Sequence, residues 1–473
     1  MTEAEHTHFK TPRVRFAPSP TGRMHVGHLR AAIPNALFAR REGGTFIVRF
    51  EDTDIERQVT DAENLFMADF RWLGIEPDES PDHGGSTSPY NTLARHERGD
   101  YQQAVQKLMD MGRAYECFTT PDELDAMRKV QAARNEPPHY DNRHRDLTAE
   151  QKEKFRAEGR QPVIRFRLKE ETIVFQDLVR GTQRFEARNL GGDPVIVRSN
   201  GVPLFTLGGV VDDIAMGITH VIRGEDHVVN TAQQVQIFQA LGADLPVFAH
   251  FPMMLDKEGH KMSKRLGSLR VEDLRHAGYV PRGIVAYMAG LGFSEAPPVE
   301  TMDAMAAWFD VSKVGRAPVR FDEDMLRVMN AKVLHSMPYA EAEPLLQPFM
   351  PAEALARQRM PAFWDAAREN IETLQDVADW YRIVFETPEK ADFSGEDLAY
   401  IQLALAHLPQ GDFNSDTWPQ WTTALKAATG RKGKALFMPL RLALTGQEQG
   451  PDMASLLPVI GAEAARERLA RYV

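Results

Sequence analysis

The first residues whose types and spacing suggest chemistry are His25-Val26-Gly27-His28. They stand just after the turn-forming run Pro18-Ser19-Pro20-Thr21-Gly22, at the head of an apolar pattern with helical spacing. Histidines three apart in a first helical turn share a face, so both imidazoles can donate to one anion. The same turn offers free backbone N–H groups and the positive end of the helix dipole, which suits a phosphate. Gly27 leaves room for a flat base or a ribose to approach the backbone. Two solvent-facing histidines near a helix end would look similar in isolation. The preceding turn favours a nucleotide site.

A second signal is Lys261-Met262-Ser263-Lys264-Arg265, after the apolar Phe251–Leu255 run and the turn residues Asp256-Lys257-Glu258-Gly259. Three cations and a hydroxyl suit a developing pyrophosphate, since lysine binds phosphate as a point charge. A solvated basic loop has the same composition, so this run alone does not decide.

These residues need elements to hold them. Arg13–Ala17 alternates like a strand, the spacing of Val26, Leu29, Ile33 and Leu37 predicts a helix from His25 to about Arg41, and Thr45–Phe50 reads as a buried strand. That is a βαβ unit. Residues from about Tyr101 to Gly159 read as charged and helical, broken at Pro137-Pro138. Strands are expected at Val163–Leu168, Ile173–Leu178 and Val195–Val197. Gly208-Gly209-Val210-Val211 and His220–Arg223 are expected to return to buried sheet, followed by a helix over Val228–Leu241. After about Pro318 the patterns are helical, with segments at Phe363–Phe385, Glu396–His407, Trp418–Thr429 and Ala462–Tyr472.

The 473 residues, 43% of them apolar, can bury several cores. A net charge of −11, from 56 basic and 67 acidic residues, excludes a uniformly basic nucleic-acid binder. It leaves open an RNA partner held by a local basic face. Cys117 is the single cysteine, which excludes a disulfide framework and a four-cysteine zinc site. The first fifteen residues lack the apolar run of a signal peptide, and no apolar stretch is long enough to span a membrane. A soluble, cytoplasmic protein is expected.

Together the two motifs form the paired signature of class I aminoacyl-tRNA synthetases. The chain resembles the glutamyl-tRNA synthetase family, bacterial type, in Phe16–Gly22, Arg49–Asp54, Val210–Asp213, Thr219–His227 and Pro439–Gly446, all in that family's order. The resemblance implies an α/β Rossmann-type catalytic domain split by an inserted α+β domain, followed by an all-α C-terminal anticodon-binding half. The expected segments are 1–95 and 196–240 for the two Rossmann halves and 96–195 for the inserted acceptor-stem-binding domain. A stem-contact domain with the Lys-Met-Ser-Lys-Arg loop is expected at 241–320, and the helical anticodon-binding region at 321–473.

The implied reaction is ATP-dependent attachment of L-glutamate to tRNA through glutamyl-adenylate, in a glutamate–tRNA ligase that acts as a monomer. His25, His28 and Gly27 would hold ATP, with Glu225 near it. Lys264, helped by Lys261, would neutralise the pentavalent phosphate and the leaving pyrophosphate. Mg²⁺ would come in with ATP. Arg15, Ala17, Ser19, Glu51, Phe205 and Arg223 match the glutamate-binding positions: Arg15 for the side-chain carboxylate, Glu51 for the ammonium, Arg223 as a second cation. Asp52 and Asp54 are expected to hold the fold.

There are departures from the family pattern. Phe205 stands where the family carries a tyrosine, so a hydroxyl contact is gone. Gly208-Gly209 replace bulkier residues. Some relatives hold a structural zinc with three cysteines and a tyrosine, where this chain has Cys117, Thr119, Tyr140 and His144. That set is too poor for tetrahedral zinc, so no zinc is expected. An arginine that reads the third anticodon base falls on Asn370, or on Arg368 if the alignment shifts. The partner is therefore tRNA-Glu with tRNA-Gln as a further candidate. The alternatives are a non-discriminating or tRNA-Gln-preferring enzyme, or a non-catalytic RNA-binding paralogue.

Overall fold

Strand β1 (Arg13–Phe16) and strand β2 (Thr45–Val48) pair in parallel, Arg13 opposite Thr45 and Phe16 opposite Val48. The crossover between them is helix α1 (Val26–Glu42). Its Leu29, Ile33 and Leu37 recur at helical spacing and are buried, which is why the segment folds onto the strands. Gly43, at φ 61°, ends the helix in the left-handed region, where a residue without Cβ is unstrained. The computed structural model describes residues 11–52, 61–260, 262 and 269–473.

The chain divides into two units: Met1–Glu272 with Met288–Asp322, and Asp273–Tyr287 with Glu323–Val473. In the first, β3 (Ala114–Cys117), β4 (Val163–Phe166) and β7 (Val195–Val197) form an antiparallel sheet in the order β3-β4-β7. A second sheet has the order β6-β5-β9-β8, from β5 (Thr172–Asp177), β6 (Gly181–Glu186), β8 (His220–Gly224) and β9 (Val247–Phe251). β8 and β9 are parallel, joined across α3 (Val228–Leu241), and α2 (Phe205–Ala215) precedes them. Thr219 N donates to Arg13 O at 3.0 Å and Arg13 N to Thr219 Oγ1 at 2.8 Å, so β1 starts beside β8. The carboxyl ends of β1, β2, β8 and β9 thus open on one side, where ligands of such sheets bind.

Two expectations for this unit are corrected. Gly208–Val211 lie in helix α2, not in sheet; a short apolar run cannot distinguish the two, and Leu207, Val210 and Val211 are buried at helical spacing. The charged Tyr101–Gly159 segment contains β3 between the helices Asp100–Asp110 and Pro121–Ala133. The β6-β5-β9-β8 sheet joins strands on both sides of residues 195 and 240, its ladder pairing segments far apart in sequence.

The second unit is helical, with no strand among its described residues. Helices at Gly395–Ala406, Thr417–Thr429 and Ala462–Ala470 fall close to the expected segments. Phe363–Phe385 is not one helix. It divides into Met360–Ala367, a 3₁₀ turn at Arg368–Asn370, and Leu374–Phe385, which restarts where Thr373 and Asp376 form a capping box.

Candidate active site

A cavity of about 600 Å³ lies at the carboxyl ends of the parallel strands, bordered by Phe16 and Ala17 at the end of β1, Glu51 after β2, Gly224 and Glu225 at the end of β8, and Phe251 and Pro252 at the end of β9.

His25 is the N-cap of α1. Its Nδ1 accepts from Gly27 N at 3.1 Å, while His25 N donates to His28 Nδ1 at 3.3 Å. The rings stack with centroids 3.6 Å apart, and His28 packs on Phe66 at 5.0 Å. Burial lowers the pKa of His25; it pushes His28 down to about 3, with His25 adding to the shift. Both rings are therefore neutral, and because each Nδ1 accepts a backbone N–H, each keeps its proton on Nε2. That is the tautomer an anion needs. His25 and Gly27 line the cavity; His28 does not, and it supports the His25 ring from behind.

The floor is a charge network. Arg15 Nε donates to both carboxylate oxygens of Asp213, at 3.1 and 3.3 Å. Arg49, completely buried, donates to Asp213 Oδ1 at 2.8 Å and stands 3.5 Å from Glu51 Oε1 and 3.6 Å from Asp212 Oδ2. Asp212 also accepts from Tyr101 at 2.8 Å. Burial alone would raise Asp213, but Arg15 and Arg49 hold it below the usual carboxylate range. Burial pushes Glu51 up to about 7, against the pull of Arg49. Arg15 and Glu51 line the cavity, whereas Arg49, Asp212 and Asp213 stand behind them.

Arg223, at the end of β8, is lowered to about 9 by burial and then by Arg15, so it stays charged at neutral pH. Its Nη2 donates to Thr231 at 2.6 Å and to Gln234 at 2.7 Å, and its Nε to His250 at 3.4 Å. His250 in turn contacts Asp177 at 2.5 Å. Phe205 lies 5.8 Å from the Arg223 guanidinium, as apolar packing plus a cation–π contact. Glu225 accepts from Met253 N at 2.7 Å and pairs with Arg180.

Lys261 and Lys264 lie outside the described residues, as does Asp54. The chain on either side of them is anchored. Before the motif, Asp256 Oδ1 accepts from His260 N at 2.7 Å. After it, Val26 N donates to Leu269 O and Val271 N to Met24 O, both at 3.0 Å, so the exit of the basic run is bonded to the start of the His-x-Gly-His turn.

Other expected residues fall elsewhere. Ser19 is exposed and does not line the cavity, because the Pro18–Gly22 turn carries it outward. Asp52 accepts from Leu93 N at 2.8 Å, a bond within the fold. In the second unit, Asn370 is exposed, while Arg368 is tied to Met337 O at 3.1 Å and to Asp365 at 3.5 Å. Sequence reasoning gave no role to Arg49, Asp177, Arg180, Gln234 or His250. Arg49 and Asp213 stood inside family blocks, and that was their only signal.

The structure gathers Cys117, Thr119, Tyr140 and His144. Cys117 Sγ is 3.2 Å from Tyr140 Oη and 3.8 Å from His144 Nδ1, and Thr119 Oγ1 is 3.1 Å from His144 Nδ1. Burial, then the bond to Cys117, pushes the Tyr140 phenol up to about 12, so it keeps its proton. Arg165 donates to Cys117 Sγ at 3.3 Å and its guanidinium lies 3.6 Å from the Tyr140 ring centroid. One thiol, one imidazole and two neutral hydroxyls beside a fixed cation do not fit zinc.

Residues 12–328 match the family model described as tRNA synthetases class I (E and Q), catalytic domain, and 339–473 match an anticodon binding domain. The chain is 44% identical over 463 residues to glutamate–tRNA ligase 1 of Maricaulis maris (strain MCS10), covering 97% of this chain and 99% of that one. It is 47% identical over 463 residues to glutamate–tRNA ligase 2 of Methylobacterium sp. (strain 4-46), covering 97% and 98%. The crystal structure of a glutamate tRNA ligase from Elizabethkingia meningosepticum CCUG26117 in complex with its amino acid superposes with a TM-score of 0.83, at 31% identity, covering 98% of this chain and 99% of that one. A Rossmann-type sheet with a cavity at its strand ends, a helical second unit and these matches together establish that the chain belongs to the class I tRNA synthetase family of the E and Q type.

Proposed function

We propose that this enzyme activates L-glutamate with ATP and transfers the glutamyl group from the adenylate to tRNA. The observation that carries the reading is the pairing of two guanidiniums, Arg15 and Arg223, with the acid Glu51 around one cavity. An amino acid with a second carboxylate gives each guanidinium facing the cavity an anionic partner on the ligand and the acid a cationic one; glutamine offers one carboxylate fewer and loses a charge-assisted contact. Arg15, locked by Asp213, takes the side-chain carboxylate. Glu51 takes the ammonium, Arg223 is the second cation, and Ala17 and Phe205 supply packing.

His25 donates Nε2–H to an ATP phosphate, and His28 fixes its ring. Lys264 and Lys261 neutralise charge on the reacting phosphate and pyrophosphate, chemistry that needs positioning and electrostatics rather than a protein nucleophile. Mg²⁺ would come with the ATP phosphates and supply charge neutralisation there; among the described carboxylates lining the cavity, Glu225 is already paired with Arg180 and Glu51 with Arg49. Segment 96–195 holds the acceptor stem, 241–320 carries the basic loop, and the helical region from 321 on takes the anticodon. We read the enzyme as a cytoplasmic monomer; no described helix is long and apolar enough to cross a membrane.

ATP–pyrophosphate exchange with glutamate or glutamine, each with and without tRNA, tests this reading. Exchange driven by glutamate in the presence of tRNA supports it, and none with glutamate under any condition overturns it. Lys264→Ala should lower exchange by about 10²–10³ with little change in glutamate affinity.

One observation favours relaxed tRNA choice. Arg368, the other candidate reader, is engaged by Met337 O while Asn370 is exposed, which supports Asn370 as the residue at the reading position. A short amide lacks an arginine's two-pronged donor, and losing one such base contact is worth about ten- to a hundredfold in discrimination. tRNA-Gln should therefore accept glutamate measurably, and Asn370→Arg should restore preference for tRNA-Glu. A preference for tRNA-Glu above about a thousandfold would refute this.

A further inference from the structure

Gln234, on α3, is 3% exposed, and the two ends of its amide have different surroundings. Oε1 accepts from Arg223 Nη2 at 2.7 Å. A guanidinium has donors only, so this bond fixes which end of the amide is oxygen and turns Nε2 the other way. Nε2 has no protein partner among the described residues, and it is not one of the unpartnered polar atoms sealed inside the protein. Gly209 defines the place it faces. A Cβ there would stand 3.5 Å from Gln234 Nε2 and 3.9 Å from both Glu51 Oε1 and Phe205 Cε2. Glu51, Phe205 and Arg223 line the cavity, Gln234 and Gly209 stand directly behind that lining, and the missing side chain at 209 leaves the spot between them free. Buried donors in folded proteins find acceptors, so one left unpartnered just behind three residues of the cavity wall points to an acceptor on the ligand.

We propose that Gln234 is a further substrate-binding residue, whose Nε2 donates to a carboxylate oxygen of the amino-acid substrate beside Arg223. The proposal rests on the reading of this cavity as a glutamate site. A carboxylate is the matching partner because it accepts only, and because it bonds Arg223 and the amide at once. An ammonium would meet donor against donor. The bond from Arg223 to Oε1 makes the amide a rigid extension of the guanidinium, so the extra contact costs little ordering on binding.

The test is steady-state exchange with tRNA present, on the full chain. Gln234→Glu keeps the shape and the oxygen facing Arg223 but replaces the donor with an acceptor; Gln234→Met removes both ends. The KM for glutamate should rise about ten- to a hundredfold in each, with the KM for ATP and kcat within about threefold of wild type. A variant with an unchanged glutamate KM overturns the inference, as does a loss spread equally over glutamate, ATP and kcat, which marks a structural role. If the Gln234 variants do not fold, Gly209→Ala decides. It places a methyl at ordinary contact distance in the free spot, and it should raise the glutamate KM about tenfold with the amide intact. Wild-type enzyme without glutamate-dependent exchange overturns the underlying reading and this inference with it. Normal wild-type exchange with unchanged variant KM overturns this inference alone.

Discussion

Two buried polar clusters in the first unit are each built round an arginine, and they end differently. Beneath the cavity, Arg49 is enclosed by Asp213, Asp212 and Glu51, and the network presents Arg15 and Glu51 at the cavity wall. In the inserted segment, Arg165 meets Cys117 Sγ, the Tyr140 ring and the Asp193 carbonyl, while Thr119 and His144 bond each other. Both are desolvated and both carry charge. The first leaves groups open to a ligand, and the second closes on itself. Burial and charge are thus shared by working and structural clusters; an unfilled donor or acceptor at a cavity separates them.

The sharpest way to break that contrast is to disturb the support of the open cluster. Asp213 is the anion shared by Arg15 and Arg49, so Asp213→Asn leaves two buried guanidiniums short of a partner. Removing one member of a buried pair costs about 3–5 kcal/mol of stability. Misplacement of Arg15 should lower kcat/KM for glutamate by about 10²–10³, with the KM for ATP much less affected. A folded variant that keeps near-normal kcat/KM would show that Arg15 holds its position without Asp213.

A second prediction uses the titration of Glu51, held up near 7 chiefly by burial. Above that pH the free enzyme offers a carboxylate to the substrate ammonium; below it the group is neutral and that attraction is lost. Each pH unit below the pKa then weakens binding tenfold, so the KM for glutamate should rise about tenfold from pH 8 to pH 6. In Glu51→Gln the profile should be high and flat. A wild-type KM that does not change over this range would separate Glu51 from the ammonium.

The same contrast explains what the sequence made legible. The βαβ unit, the parallel strands and the helical last third follow from local periodicity, and the histidine turn from its own spacing. α2 is not legible in Gly208-Gly209-Val210-Val211, a run too short to show its period. The members of the floor were visible only in part. Arg15, near the end of β1, and Glu51 could be singled out by their match to the family's amino-acid-binding positions, yet Asp213, which orients Arg15, is 198 residues away. Nothing near Gln234 marks it, since its role depends on Arg223 and on a missing side chain at Gly209. Sequence shows where a strand ends; which carboxylate steadies the arginine there is a tertiary fact.

The smallest effect on activity should come from the closed cluster. Arg165 is 6% exposed and donates to Asp193 O as well as to Cys117 Sγ. Asp193 itself is held by Arg145 at 2.7 and 2.8 Å and by Tyr115 at 2.8 Å, so the sheet around β3 and β4 is tied by carbonyl, carboxylate and guanidinium contacts together. Arg165→Met keeps most of the packing volume but leaves the Asp193 carbonyl and the Cys117 sulfur without their donor. An unsatisfied buried acceptor costs about 1–3 kcal/mol, and that loss should be measurable as a lower urea midpoint. Glutamate-dependent exchange should stay within about threefold of wild type, because none of these atoms borders the cavity. If Arg165→Met instead raises the glutamate KM tenfold at unchanged stability, the closed cluster communicates with the site and the division between the two fails.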